Sequence, residues 1–145
     1  MENRREYYRQ GLHGLYVPYY DALCDELGDD WEPTCGYRSF EEQERLYSQA
    51  IQVTHARAGE SAHNYGCASD WVRIVDGSFY WGLDPCVWEP YFQAIEKLGL
   101  KSLAKNGDFP HNELLLNRSW KDILDAYNQG GMDNAYDLIR DSVTS

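Results

Sequence analysis

The feature that most constrains this chain is a set of zinc-type donors that lie far apart in the sequence. His63 and Asp70 stand close together in the stretch SAHNYGCASD, and His111 follows much later in DFPH. Two imidazoles and a carboxylate are a typical zinc set, with metal–ligand distances of about 2 Å. We predict that His63 lies at a loop end and Asp70 on the adjoining strand, so the two converge only if Gly66 lets the backbone turn. His111 must then arrive from a second strand.

Apolar spacing and capping signals predict the framework around these donors. Five helices are expected, at about residues 16–27, 39–52, 84–98, 119–128 and 132–143. Strands are expected at residues 67–75 and 112–116, and a loop of small and polar residues precedes the first of them. Gly130 and Gly131 separate the last two helices. Residues 31–38 (WEPTCGYR) mix aromatic and turn types and are assigned to no element.

Composition favours one globular domain over residues 1–145. Hydrophobic types make up 43% and aromatic types 14%, which is enough for a core. The 13 basic and 24 acidic residues give a net charge of -11, and the absence of a basic stripe argues against nucleic acid as a partner. No apolar run approaches the roughly 18 residues that span a bilayer, and the N-terminal segment lacks the hydrophobic core of a signal peptide. We therefore expect a soluble chain with no membrane partner.

The cysteines predict neither a zinc ribbon nor a disulfide scaffold. Cys24, Cys35, Cys67 and Cys86 contain no CxxC pair and are expected to be unpaired. A bridge from Cys35 to Cys67 or to Cys86 stays open as an alternative. Cys67 is expected to act as a small buried hydrophobic residue.

The motif around His63 resembles that of a family of zinc peptidases. Residues 61–70 match the family pattern SxHxxGxAxD, and residues 36–39 (GYRS), with Gln43 and the Leu-Tyr pair at 46–47, are similar to its upstream elements. The family includes D-alanyl-D-alanine carboxypeptidases, the D-Ala-D-Ala dipeptidases of vancomycin resistance and phage L-alanyl-D-glutamate peptidases. The resemblance covers about residues 35–116, and residues 126–131 (AYNQGG) are similar to short phage lysins in particular.

The resemblance implies a role for each donor. It makes His63, Asp70 and His111 the ligands of one zinc ion per chain and Asp108 the general base, because the family places an acid three positions before the last ligand. Zinc lowers the pKa of its water toward about 7, and a nearby carboxylate accepts the proton and passes it to the leaving amine. Glu113 is the alternative base, since on a strand it points to the same side as His111.

The resemblance also suggests which residues contact the substrate. Arg38 looks like the family residue that faces the substrate, either pairing with its carboxylate or polarising the scissile carbonyl. Ser61 and Gln43 are candidates for hydrogen bonds to the substrate or to the residues around it. Asn112 departs from the family, which usually has an aromatic residue directly after the last ligand, so the pocket shape is open there. The remaining histidines match no donor spacing and are expected to be non-ligands: His13 and His55.

The resemblance also implies a fold and a function. The fold is α+β, like that of Hedgehog and the D-Ala-D-Ala peptidases, with a small antiparallel sheet that bears the zinc and about five surrounding helices. The implied function is a monomeric phage endolysin that cuts the bond between L-alanine and D-glutamate in peptidoglycan stem peptides. It would stay in the host cytoplasm until a holin opens the membrane. The alternatives are a D,D-carboxypeptidase or dipeptidase acting on D-Ala-D-Ala termini, and a zinc-stabilised module that binds the wall without cutting it.

The charge generates a first prediction. A net charge of -11 is repelled by a polyanionic wall over about 8 Å at physiological salt. We hypothesise that bound calcium or high ionic strength relieves this repulsion, so lysis should rise with either. A turbidity assay across salt and calcium concentrations tests this, and activity that is highest at low salt without calcium would contradict it.

Overall fold

The computed structural model describes residues 3–49, 54 and 56–143. Its helices are α1 (Arg4–Arg9), α2 (Val17–Leu27), α3 (Phe40–Tyr47), α4 (Pro85–Lys97) and α5 (Trp120–Ser142). Its strands are β1 (Trp31–Cys35), β2 (Ala68–Val75), β3 (Ser78–Phe79), β4 (Lys101–Leu103) and β5 (Asp108–Glu113). Short 3-10 turns cover Gly28–Asp30, Ala62–Tyr65 and Ala104–Asn106. The expected α+β class is confirmed.

The sheet is antiparallel, with strand order β1-β2-β5-β4, and the short β3 pairs with the far end of β2. The central pair β2–β5 sets Asp70 opposite His111, and the pair β1–β2 sets Asp70 opposite Cys35. Directly opposed residues on antiparallel strands have Cα atoms about 4.5–5.5 Å apart. One residue of β2 is therefore brought close to both neighbouring strands.

Helices α2 and α4 pack against the sheet through aromatic side chains. Tyr20 of α2 lies 5.5 Å from Trp71 of β2 between ring centroids, and Trp31 of β1 stacks on Tyr91 of α4 at 5.4 Å. The predicted apolar stripe of residues 16–27 is buried as expected, and Cys67 is also fully buried. Burial raises the pKa of the Cys67 thiol to about 12. Among the described helices, none combines the length and the apolar character needed to span a bilayer.

The structure differs from the prediction in a missed strand, a shifted strand and a shorter helix. The pattern does not predict β1, because Pro33 and the polar residues beside it hide an edge strand, where proline is tolerated. The second predicted strand, 112–116, instead covers Asp108–Glu113. Helix α3 ends at Tyr47 rather than near residue 52, and residues 50–53 lie outside the described part of the chain, as does His55.

The C-terminal pair of predicted helices forms one element, α5. Gly131 has a φ of 80° inside it, so the predicted break appears as a kink between two helical halves. The four cysteines are free, as expected, and no bridge joins Cys35 to Cys67 or Cys86. Helix α1 and the short strands β3 and β4 carry too few residues for a periodic pattern and are not predicted.

Asn112 has a structural role that the sequence does not reveal. Strand alternation turns its side chain away from that of His111 and into the core, where it is fully buried. Its amide nitrogen donates to the Ser69 carbonyl at 3.0 Å and to the Tyr91 hydroxyl at 2.9 Å, and its oxygen accepts from the Tyr16 hydroxyl. Its side chain therefore does not shape the cavity beside His111, which corrects the concern raised by the missing aromatic residue.

We predict that Asn112→Ala destabilises the fold by about 2 kcal/mol or more, because it leaves buried hydroxyl groups without their partner. Urea unfolding followed by circular dichroism measures the change. Asn128→Ala, at an exposed position of α5, is the matched control and should change the free energy of unfolding by less than about 0.5 kcal/mol. Equal stabilities for the two variants would contradict the role of this network.

Candidate metal centre

His63 is held by a tightly capped 3-10 turn. Ser61 caps the turn and its hydroxyl accepts a hydrogen bond from the His63 backbone nitrogen at 3.2 Å, while the Asn64 side chain bonds back to the Ser61 backbone. Gly66 ends the turn with a φ of 69°, and a Cβ there would lie 2.7 Å from the His13 backbone nitrogen. The predicted turn at Gly66 is confirmed, because both its backbone conformation and its packing favour glycine.

Three donor atoms converge where this turn meets the sheet. His63 Nε2 and His111 Nδ1 each lie 3.3 Å from Asp70 Oδ1, and the two imidazole rings stand at 73° with centroids 5.0 Å apart. Asp70 Oδ1 is buried, yet it accepts no hydrogen bond from the described residues. Ligand atoms about 2.0–2.1 Å from a tetrahedral zinc lie about 3.3–3.4 Å apart. The two distances to Asp70 and its unsatisfied oxygen fit a zinc ion, although the tight donor cluster found among the described residues joins Cys35 rather than His111 to His63 and Asp70.

The outer nitrogens of both imidazoles fix which atoms face the centre. His63 Nδ1 donates to the Gly36 carbonyl at 2.7 Å, and His111 Nε2 donates to Glu113 Oε1 at 2.7 Å. These acceptors leave His63 Nε2 and His111 Nδ1 facing Asp70, where each nitrogen can bind a metal once it has lost its proton. Such outer contacts hold ligand rings in place and raise their basicity.

The charged groups of the site shift one another's pKa. Burial acts to lower the pKa of both histidines, but nearby carboxylates outweigh it: Asp70 raises the pKa of His63 to about 10, and Asp70 together with Glu113 raises that of His111 to about 9. Burial acts to raise the pKa of Asp70, and the two imidazoles overcome it and hold that pKa well below its usual range. A carboxylate that stays ionised between two imidazoles is suited to bind a cation.

The two candidate bases differ in how many hydrogen bonds their carboxylates make. Both Glu113 oxygens are engaged, Oε1 by His111 and Oε2 by the Trp120 indole nitrogen at 2.6 Å, and the side chain is buried. Asp108 lines the same cavity, the residue is exposed, and its carboxylate forms no hydrogen bond or ion pair with the described residues. Partial loss of solvent around this carboxylate and the charge of Asp70 raise the pKa of Asp108. The geometry favours Asp108 as the base and gives Glu113 a positioning role toward His111.

The candidate substrate residues fall into two groups. Arg38 and Ser61 line the cavity, whereas Gln43 is fully buried behind Arg38. Gln43 Oε1 accepts from Arg38 at 2.9 Å, and its Nε2 donates to the Ala56 carbonyl at 2.7 Å. Gln43 thus supports Arg38 and does not face the cavity, while Ser61 combines a capping role with a place in the lining.

Cys35 is a neighbour of the centre that sequence reasoning misses. Its sulfur, a His63 nitrogen and an Asp70 oxygen lie within 4.8 Å of one another. However, the sulfur contacts His63 Nδ1 at 3.8 Å, the nitrogen that faces Gly36, and it accepts from Arg38 at 3.4 Å. Burial acts to raise the pKa of Cys35, and His63 and Arg38 lower it overall. The only sequence signal is its position directly before the GYRS element.

The donors open into a cavity of about 670 Å³. Besides the three donors and Asp108, it is lined by residues of the turn that carries His63, by β4 and by the start of α5. The sequence analysis gives no role to Lys101, Arg118, Trp120 or Lys121, which also line it. A volume of this size is typical of small-molecule and peptide sites.

Two of three comparisons with known proteins find a similar protein. No protein-family model matches the chain. The chain is 35% identical over 125 residues to the peptidoglycan L-alanyl-D-glutamate endopeptidase CwlK of Bacillus subtilis (strain 168), an alignment that covers 73% of this chain and 75% of that protein. Its fold is similar to the crystal structure of the Serratia marcescens L-Ala D-Glu endopeptidase ChiX, with a TM-score of 0.56, 23% identity and coverage of 79% of this chain and 89% of that chain.

We predict a graded loss of zinc affinity when the donors and their support are changed. Asp70→Ala should abolish tight binding, while Glu113→Gln should weaken it about 10–100-fold, because glutamine cannot accept from both His111 and Trp120. Competition titration with a chromophoric chelator measures both. Glu41→Gln, at an exposed position of α3, is the control. Wild-type affinity in Glu113→Gln would contradict the positioning role of Glu113.

Proposed function

The chain belongs to the family of peptidoglycan L-alanyl-D-glutamate endopeptidases, and from this we propose that it is a zinc peptidase that hydrolyses the L-alanyl-D-glutamate bond of stem peptides. The observation that carries the proposal is that His63 and His111 flank an Asp70 oxygen, beside the Asp108 carboxylate, and that neither this oxygen nor the Asp108 carboxylate has a hydrogen-bond partner among the described residues. The similarity to CwlK supports the choice of bond. Three protein ligands are the number that catalytic zinc sites use.

Each group of the site has a task in this reaction. His63, Asp70 and His111 would hold the zinc ion, which would supply Lewis acidity toward water and the scissile carbonyl. Asp108 accepts a proton from the attacking water and returns it to the amine of D-glutamate as the peptide bond breaks. Arg38, held by Gln43, presents its guanidinium to the substrate from the same cavity.

Mass spectrometry of digested peptidoglycan tests the bond. Stem peptides that begin at D-glutamate, released with zinc and lost with a chelator, are the expected products. Release of free D-alanine would instead place the chain with the D,D-carboxypeptidases. Binding to the wall without any product would favour the non-catalytic module.

We predict that Asp108→Asn lowers kcat/KM about 100- to 10,000-fold while one zinc ion per chain is still bound, because the amide cannot accept the proton. A labelled stem peptide followed by chromatography gives the rate, and elemental analysis gives the metal content. Asp125→Asn, at an exposed position of α5, is the control. Full activity of Asp108→Asn would return the role of base to Glu113.

The finer biological role is proposed from the resemblance of residues 126–131 to short phage lysins. In this proposal the chain is a monomeric endolysin that waits in the host cytoplasm and reaches the wall after a holin opens the membrane. Expression in a Gram-negative host tests this role. Lysis only after the inner membrane is permeabilised supports it, and lysis without permeabilisation contradicts it.

A further inference from the structure

The cavity gathers several basic side chains that form no ion pair with the described residues. Elsewhere among the described residues some basic side chains pair with acids, as in Arg9 with Asp21 and Lys97 with Glu26, and others, such as the exposed Lys105, do not. The cavity lining also contains exposed cations that form no ion pair with any described residue: Lys101, Arg118 and Lys121. In a chain with a net charge of -11, unpaired cations gathered in one cavity require an explanation.

No ion pair joins these cations to the acids of the same lining within the described chain, and the unpaired Asp108 is assigned to the role of base. Lys101 stands opposite Glu113 in the β4–β5 register, but both Glu113 oxygens are already engaged by His111 and Trp120. Asp70 belongs to the donor set, and Glu60 accepts from the Arg57 backbone nitrogen at 2.8 Å. Positive charge therefore remains available next to the metal ligands.

The position of Lys121 is also locally unfavourable. It lies in the first turn of α5, directly after Trp120, where the helix dipole favours acidic rather than basic side chains. Arg118 precedes the same helix, and its Nε donates to Ser142 Oγ at 2.8 Å, which holds the side chain in place. A cation placed against its helix dipole is a local inconsistency of the kind that functional sites show.

The proposed substrate supplies the matching anion. In a stem peptide, D-glutamate is linked onward through its γ-carboxyl, so its α-carboxyl lies beside the scissile bond and is either free or amidated. We propose that Lys101, Lys121 and Arg118 form a carboxylate subsite for this free α-carboxylate, which makes the chain selective for D-glutamyl over D-isoglutaminyl stems. This inference rests on the proposed function, since it names the substrate form that the same site selects.

Two capped peptides test the subsite: N-acetyl-L-Ala-γ-D-Glu-L-Lys-amide and its D-isoglutaminyl counterpart, which differ by one carboxylate. Binding is measured by calorimetry on zinc-loaded Asp108→Asn, in which the peptides are not turned over. The carboxylate form should bind about tenfold more tightly, as expected for a few exposed charge pairs, and added salt should reduce the difference. Equal binding, or binding of neither peptide, overturns the subsite.

Variants assign the preference to residues. Adding Lys101→Gln and Lys121→Gln to Asp108→Asn should reduce the tenfold preference to about one, by weakening only the carboxylate form. Lys97→Gln removes one positive charge from α4, outside the cavity lining, and should leave the preference intact. A preference that survives the double lysine change overturns the assignment to the lysines and points to the arginines of the lining, Arg118 and Arg38.

Different experimental results would overturn the subsite and the proposed function. Equal binding of the two peptides, together with D-glutamate termini in the peptidoglycan digest, overturns the subsite alone. The binding preference without any cleavage of peptidoglycan by the wild-type chain overturns the proposed function alone.

Discussion

The structure depends on one buried carboxylate oxygen. Asp70 Oδ1 lies 3.3 Å from an imidazole nitrogen on each side and accepts no hydrogen bond from the described residues. Burying a carboxylate is costly; the two imidazoles offset part of that cost, and a bound metal ion would offset more of it. The surrounding contacts, from the Gly36 carbonyl behind His63 to Glu113 behind His111, turn the free nitrogens toward that oxygen.

The fold places this oxygen by sheet register rather than by a local motif. Asp70 sits on the central strand β2, opposite His111 on one neighbour and Cys35 on the other. The opposite face of the same strands carries the buried network of Asn112, Ser69 and Tyr16. Because side chains alternate along a strand, Asp70 and His111 face the site while their neighbours Ser69 and Asn112 face the core. A one-residue slip in register would therefore disrupt both the site and the core network.

The turn at Gly66 is predictable because its signal, a glycine between two nearby donors, is local in the chain, whereas the full ligand set comes from the family resemblance and stays a prediction. The sequence also predicts the aromatic core, since Tyr16, Tyr20 and Leu23 follow a helical period. It misses β1, whose proline and polar residues give no alternation. It cannot find Cys35, Trp120 or the cavity lysines, because these reach the site only through strand pairing and the packing of α5, which leave no spacing in the chain.

The most direct test of the metal centre is zinc X-ray absorption spectroscopy of the loaded protein. Donation by His63, Asp70 and His111 predicts a shell of nitrogen and oxygen atoms at about 2.0–2.1 Å with imidazole scattering and no sulfur. A sulfur neighbour at about 2.3 Å would mean that Cys35 binds the metal, and it would contradict the ligand set on which the proposed mechanism rests.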